Sequence, residues 1–263
     1  GALHAGHRAL IEQARREAEA VVVSIYVNPT QFDNPADLDA YPQQLAADLA
    51  ICEAAGVAAV FLPTDAQMYP QGFATFVEVV GGLSDKLCGV TRPGHFRGVC
   101  TVVTKLFNIV EPDSAFFGRK DLQQSLIIAR LIRDLELPIQ IHLVDTVRES
   151  DGLALSSRNA RLSTAARTIA LGIPRGLVLA DRAFRRGERS AMRLIEHFAE
   201  QVLVEPDVDI DYAHVIRLRD FEEVDQVEAG CVLTVAVFVG PVRLIDHIAL
   251  GAETIAGVVI EED

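Results

Sequence analysis

The stretch Ala20-Val21-Val22-Val23-Ser24-Ile25-Tyr26-Val27 restricts the fold most. It is a nearly continuous β-branched run. A strand apolar on both faces needs helices above and below it and neighbours on both edges, which is the setting of a parallel sheet. The flanking sequence supplies the helices. From Gly6 to Ala18, Leu10, Ile11, Ala14 and Ala18 recur at helical spacing. A second helix is expected over Pro42–Ala55, with Leu45, Leu49 and Cys52 on one face and Gly56 as its stop. Val57–Leu62 reads as a strand, Gly98–Val110 as a helix, Ser114–Phe117 as a strand, Asp121–Leu135 as a helix and Ile139–Val144 as a strand. Such alternation predicts an α/β domain with a doubly wound parallel sheet over residues 1–146.

The last third is patterned differently. Ser163–Arg185 and Ser190–Leu203 read as helices. Val208–Arg217, Cys231–Val239 and Val242–Ala249 read as strands, with Gly240-Pro241 at a tight turn between the last two. A smaller α+β domain is therefore expected over 147–263, with Thr146–Arg161 as the seam.

Charge narrows the class of partner. A net charge of −13 argues against a nucleic-acid or anionic-membrane surface, which would be basic. Cys52, Cys88, Cys100 and Cys231 show neither CxxC nor zinc spacing and read as reduced, buried thiols of a cytoplasmic protein. No apolar run approaches the ~20 residues of a membrane span.

Five segments carry chemistry, all at strand ends or helix starts. His4-Ala5-Gly6-His7 opens a helix, where free N–H groups and the positive end of the dipole attract phosphate. Two imidazoles there can stabilise charge that builds on a phosphate chain. Two unrelated surface histidines, or a metal pair, are the plainer alternatives. Asn28-Pro29-Thr30-Gln31 follows the Val-rich strand at its carboxyl end, where open α/β sheets bind ligands. Its neutral amides can hold a carboxylate without blunting it as a nucleophile; ordinary turn chemistry is the alternative. Arg92-Pro93-Gly94-His95-Phe96-Arg97-Gly98 is a basic, glycine-bounded loop that could close over phosphates or simply be solvated. In Gly118-Arg119-Lys120-Asp121, Gly118 permits close approach, Lys120 seeks phosphate, and Asp121 is either a helix cap or a ligand contact. Gln124 starts the helix that follows. Ser156-Ser157-Arg158-Asn159 offers hydroxyls and a guanidinium fork to phosphate oxygens, or else forms a capped loop. These donors imply a nucleoside-triphosphate site without a P-loop, since no GxxxxGK[ST] occurs.

The segments GALHAGH at 1–7, SIYVNPTQF at 24–32, DLDAYP at 37–42, MYPQG at 68–72, RPGHFRGV at 92–99, FFGRKDLQQ at 116–124 and VRESDGLALSSRN at 147–159 together resemble the pantothenate synthetase (pantoate–β-alanine ligase) family. That family belongs to the HxGH nucleotidyltransferases, whose Rossmann-like domain binds ATP. The likeness continues more weakly to Arg243-Leu244-Ile245-Asp246. It implies an ATP-dependent ligase that adenylates pantoate and joins it to β-alanine, with the C-terminal domain as a lid, and usually a homodimer.

By matching positions, the resemblance implies that His4, His7, Lys120 and Arg158 carry the chemistry. Gly118, Asp121, Val147, Ser156 and Ser157 would join them around ATP. Gln31, Gln124 and Asn28 would hold pantoate, and Asp48 would lie near a Mg2+ ion that arrives with ATP. A nucleotidylyltransferase, or a non-catalytic homologue, is the rival reading. Thr30, Gln43, Cys88 and Arg119 depart from the family's usual Met, Arg, Glu and Glu. The charge of Arg119 would compensate for the neutral Gln43. In the family a strand ending in a Pro-Thr-Met turn precedes the histidine motif. The resemblance therefore leads us to expect a longer parent protein, a parallel sheet split beside residues 114–117, and negligible activity for residues 1–263 alone.

Overall fold

The computed structural model describes residues 1–204, 207–252 and 255, and the chain forms two compact units, Gly1–Thr146 and Val147–Asp263. The first is built from strand–helix–strand pieces. Helix α1 (Ala5–Glu17) leads into β1 (Val22–Ser24). The short α2 (Pro35–Asp39) and then α3 (Leu45–Ala54) carry the chain to β2 (Ala59–Phe61). β1 and β2 run parallel, with Val22 opposite Ala59 and Ser24 opposite Phe61. Two single-turn helices, α4 (Asp65–Met68) and α5 (Cys88–Thr91), precede the long α6 (His95–Val110). β3 (Ser114–Gly118), α7 (Leu122–Asp134) and β4 (Gln140–Val144) complete the second parallel pair, with Phe116 opposite His142.

The parallel strands fall into two separately bonded pairs, β1 with β2 and β3 with β4, so the sheet is split as expected. The Val-rich run is less sheet-like than its composition suggests. Only Val22–Ser24 is strand, Val22 is exposed, and the chain turns into a 3-10 turn at Pro29–Gln31. The last ladder bond runs from the Ile25 N–H to the Phe61 carbonyl, four residues before Pro29, whose fixed φ suits the turn.

Helix α3 is rotated relative to its expected apolar face. Asp48 and Cys52 are buried, while Leu45 and Leu49 are exposed. The cause is polar: the Asp48 carboxylate accepts the backbone N–H groups of Ala2 at 2.9 Å and Leu3 at 2.7 Å. α6 also starts three residues earlier than its apolar spacing indicates, so His95 and Arg97 belong to its first turn and not to a loop. The core of this unit lies along α6 and α7, where Val99, Cys100, Val103, Phe107, Ile127, Ile128 and Leu131 are buried.

The second unit is an antiparallel sheet covered by helices. Helices α8 (Thr164–Ala170) and α9 (Gly172–Arg185) replace the single helix expected over 163–185. The break falls before Gly172-Ile173-Pro174, because Pro174 has no N–H to continue a helix but fits a first turn. α10 (Ala191–Val202) follows, then β5 (Val208–Arg217), β6 (Glu222–Glu223), β7 (Cys231–Val239) and β8 (Val242–Ala249) in the order β6-β5-β7-β8. β7 and β8 join through Gly240-Pro241. Gly240 takes φ +55°, the left-handed conformation a two-residue hairpin asks of its first residue. Leu233, Val235 and Val237 pack in one core with Leu177, Leu194 and Phe198.

Candidate active site

The two histidines of the His4-Ala5-Gly6-His7 motif cap the helix they begin. The Nδ1 atom of His4 accepts the Gly6 N–H at 3.1 Å, and Nδ1 of His7 accepts the His4 N–H at 3.2 Å. This is a reciprocal capping box with imidazole in place of the usual hydroxyl and carboxylate. An Nδ1 that accepts carries no proton, so each neutral ring holds its proton on Nε2. The rings lie 4.1 Å apart. Burial pushes the pKa of His7 down to about 4, with the His4 charge adding to it. Burial and the Lys120 charge lower that of His4. Near neutral pH both rings are therefore uncharged donors, and the helix end supplies positive potential beside them.

Lys120 and Asp121 share this neighbourhood, since the charge of each acts on His4. They stand in a 3-10 turn, Arg119–Asp121, at the carboxyl end of β3. Asp121 occupies the N-cap position of α7 but makes no side-chain cap, so its exposed carboxylate is not committed to the helix. Ser125 Oγ binds the carbonyls of Gly118 and Asp121 at 3.2 Å each, fixing the turn from below. A side chain at Gly118 would meet open space, so no protein atom demands glycine there. Arg119 reaches Asp145 at 2.9 Å, so its charge has a carboxylate partner.

The turn that carries Gln31 is pinned from several sides. The Gln31 carbonyl accepts from Nδ1 of His95 at 2.8 Å and from Nη2 of Arg92 at 3.1 Å. Arg92 also pairs with Asp33 at 3.0 Å. The basic segment at 92–98 is thus a brace under the turn and not an open phosphate loop. Burial and Arg92 push the His95 pKa down to about 4. Asn28 is buried and makes four hydrogen bonds inside the protein, to Gln31, Gly98, Thr30 and Tyr69. That uses its whole capacity, so its expected contact with a substrate is better read as support for Gln31. Gln124 sits half-buried in the first turn of α7 and shares no hydrogen bond with Gln31.

In the second unit, residues 147–155 fold back on themselves. Leu155 N–H donates to the Val147 carbonyl at 3.0 Å, and Glu149 N–H to the Leu153 carbonyl at 2.9 Å. Ser156 caps the 3-10 turn Ser157–Arg161, its Oγ accepting the Arg158 N–H at 3.3 Å. Arg148 grips Asp246 with both Nη atoms, at 2.6 and 2.9 Å, and this pair is largely buried. Arg167 reaches both Glu149 and Asp151. Val147, Ser156, Ser157 and Arg158 are thereby presented from a braced segment of the chain.

Asp48, the residue expected near a magnesium ion, also has a structural task. Both of its oxygens hold the backbone that leads into the histidine motif. Among the described residues, no group of three His, Cys, Asp or Glu side chains could hold a metal ion. No helix among them is long and apolar enough to cross a membrane.

Sequence reasoning missed the positioning roles of Asp48 and Asn28, which it assigned to ligands, and those of Thr30, Tyr69, Gln123, and Arg148 with Asp246. Gln123 is buried and ties α7 to the carbonyls of Leu83 and Lys86 and to the Cys88 N–H. One signal was available: a charged residue, Asp48, stood in phase with Cys52 on a helix otherwise rich in Leu and Ala.

Comparison with known proteins fits this geometry. The family model described as pantoate-beta-alanine ligase matches residues 1–249. A pantothenate synthetase of Pelotomaculum thermopropionicum is 48% identical over 95% of this chain and 89% of its own length. One of Moorella thermoacetica is 46% identical over 95% and 88%. The crystal structure of pantothenate synthetase from Thermus thermophilus superposes with a TM-score of 0.92 at 42% identity, covering 95% of this chain and 90% of that one. The Francisella tularensis pantoate-beta-alanine ligase, solved with "Beta-gamma ATP and Beta-alanine", gives a TM-score of 0.79 at 32% identity over 96% and 88%.

Proposed function

The chain belongs to the pantoate–β-alanine ligase family, and from that premise we propose how its residues perform the ATP-dependent condensation of pantoate with β-alanine. A pantoate carboxylate oxygen attacks the α-phosphorus of ATP. The bond from that phosphorus to the bridging oxygen breaks, and pyrophosphate leaves. The β-alanine amine then attacks the acyl carbon of pantoyl adenylate. The acyl–oxygen bond breaks, AMP departs, and the nitrogen gives up a proton.

The first step needs donors that stay neutral, so that they stabilise charge as it grows without holding ATP as an ion pair. The observation that carries this reading is the capping role of His4 and His7. With Nδ1 committed to the helix backbone, each ring can offer only its Nε2–H outward. Lys120 adds a positive charge beside them. Ser156, Ser157 and Arg158 are read as further phosphate donors, with Gly118, Asp121 and Val147 on the nucleoside. Gln31 and Gln124 are read as the grips on pantoate.

The resemblance also implies magnesium. Asp48 and the described acidic residues do not form a cage for it, and no step here is routed through a metal. A cytoplasmic setting accords with four free, buried cysteines. The homodimer stays part of the proposal as the family's usual assembly.

The test is release of pyrophosphate and AMP from ATP, with and without each acceptor. AMP should form only when pantoate and β-alanine are both present. His7→Ala should lower kcat for pyrophosphate release by roughly 10²–10³, the range for loss of one oxyanion-type donor. It should leave consumption of preformed pantoyl adenylate much nearer normal. Nucleotide transfer to a phosphorylated acceptor without β-alanine would point to a nucleotidylyltransferase. Nucleotide binding with no pyrophosphate release would point to a non-catalytic homologue.

A further inference from the structure

We propose that Thr30 and Tyr69 are positioning residues which, through Asn28, lock the Gln31 amide with its NH2 group toward pantoate, so that this position selects a hydrogen-bond acceptor. The inference rests on the proposed function and adds the polarity of one contact.

The relay starts from an atom whose polarity cannot change. The Gly98 carbonyl only accepts, and it lies 3.2 Å from the Asn28 amide nitrogen. Turning the Asn28 amide over would set Oδ1 against that carbonyl, two acceptors face to face. Nδ2 must therefore point at Gly98, and Oδ1 points the other way. There it meets two hydroxyl donors, Tyr69 at 2.7 Å and Thr30 at 2.9 Å. The second hydrogen on Nδ2 goes to Oε1 of Gln31 at 3.1 Å. Gln31 is then fixed as well. Turned over, it would bring its own NH2 against that of Asn28, donor against donor. With Oε1 held inward, Nε2 is what Gln31 can offer to a bound molecule.

The backbone supports the same assignment. A side chain at Gly98 would come within 2.3 Å of the Thr30 carbonyl oxygen and 2.7 Å of the Gln31 nitrogen. Only glycine lets α6 come close enough to lend its carbonyl to Asn28. Asn28 is buried, so each of its polar atoms needs a partner. Oδ1 has two donors, and the two hydroxyls themselves lie 3.1 Å apart. One donor alone keeps Oδ1 satisfied. Losing both leaves a buried acceptor bare and lets the relay slip. The Thr30 hydroxyl is thus a second lock beside that of Tyr69.

The experiment compares Thr30→Val, Tyr69→Phe and the double variant in the AMP-release assay, with KM for pantoate and for ATP measured separately. Each single change should raise the pantoate KM by about threefold, and the pair by roughly 30- to 100-fold, more than the product of the singles. The ATP KM should stay within about threefold. Thr30→Ser combined with Tyr69→Phe keeps one hydroxyl and should behave like Tyr69→Phe alone. Asn28→Asp puts an acceptor against Gln31, forces its amide over, and should raise the pantoate KM by about 100-fold or more. Effects that simply multiply, an ATP KM that rises in step, or a serine variant as impaired as the valine one would each overturn the inference. Should the double variant not fold, Asn28→Asp decides: a pantoate KM within about threefold of the unaltered protein's overturns it. Failure of both this chain and a longer parent protein to form AMP would overturn the functional reading and this inference with it. Normal AMP release with simple multiplication overturns the inference alone.

Discussion

The two units solve the problem of holding a shape by different means. In the second, β7 is buried at eight of its nine residues, and Leu233, Val235 and Val237 share one hydrocarbon core with residues of α9 and α10. In the first, β1 and β2 have no fully buried residue and β3 has one, Ala115. Order there leans on polar groups that hold other polar groups: Asp48 on the Ala2 and Leu3 backbone, Asn28 on Gln31, Gln123 on the 83–88 loop, Arg92 and His95 on the Gln31 carbonyl. Hydrocarbon contact is non-directional, whereas a hydrogen bond fixes an angle. The unit that must aim imidazoles and amides is the one built from directed bonds. Substitutions should therefore separate: stability should fall most in the second unit, and substrate handling in the first.

The largest stability loss is expected at Phe198. It is fully buried, and its ring lies close against Gly176 on the facing helix α9. Phe198→Ala removes the ring and leaves a cavity that the sheet cannot close, so it should cost about 3–5 kcal/mol in urea unfolding. At 25 °C, where the variant is still folded, its ATP and pantoate KM values should match those of the unaltered chain. A change in KM as large as the change in stability would erase the contrast between the units.

The same contrast explains what could be read from the sequence. Helices α1, α7 and α10 and the three long strands of the second unit lie within a residue or two of their expected bounds, because each repeats one pattern over several turns or pleats. The candidate site residues His4, His7, Gln31, Lys120 and Ser156–Arg158 could be picked out because they sit in contiguous motifs. The supports could not. Arg148 and Asp246 are 98 positions apart, Ala2 and Asp48 are 46 apart, and Asn28 and Tyr69 are 41 apart. No local spacing announces such a pair. The helix break before Gly172 and the turned face of α3 were missed for a related reason. In both places one residue, Pro174 or Asp48, overrode an apolar period.

Acid should act first on the unit built from directed bonds. His7 and His95, the two histidines whose pKa is pushed down to about 4, both lie there. An unfolded chain titrates its histidines near 6.5. Between about pH 6.5 and 4 the unfolded state thus holds a proton on His7 that the folded state refuses, and stability falls as the pH falls through that window. Below about 4 both states are protonated and the loss is complete. The His7 share comes to roughly 3 kcal/mol. Protonation at Nδ1 would also break the cap on the His4 N–H, so acid damage should begin at the α1 terminus. Urea midpoints measured from pH 7.5 to 4.5 check this, with His7→Gln as the control. The variant should show a visibly shallower decline. An equal slope in both proteins would mean that the cap does not depend on a neutral ring.

The smallest effect is expected at Arg119, although its sequence setting made it look consequential. It stands beside Lys120, the lysine proposed to bind phosphate, where the resemblance implies Glu, and a charge reversal there could be expected to disturb ATP. The structure gives its guanidinium another partner. Arg119 Nε meets Asp145 at 2.9 Å, with the Arg119 side chain 54% exposed and that of Asp145 92% exposed. An ion pair so open to water is screened and holds two long side chains at an entropic cost, so it is worth about 0–1 kcal/mol. Pairing also leaves little net charge at that spot to act on the phosphates. Arg119→Ala should change stability by less than about 1 kcal/mol and the ATP KM by less than about threefold. Asp145→Ala gives the sharper comparison, because it releases the arginine charge instead of deleting it. If freed Arg119 then lowers the ATP KM, and added salt removes the gain, the charge is within reach of ATP and is normally held off by Asp145. If Arg119→Ala alone raises the ATP KM about tenfold, the residue serves the phosphates directly. The first unit would then place even an exposed charge for chemistry, a stronger form of the contrast than the buried hydrogen bonds require.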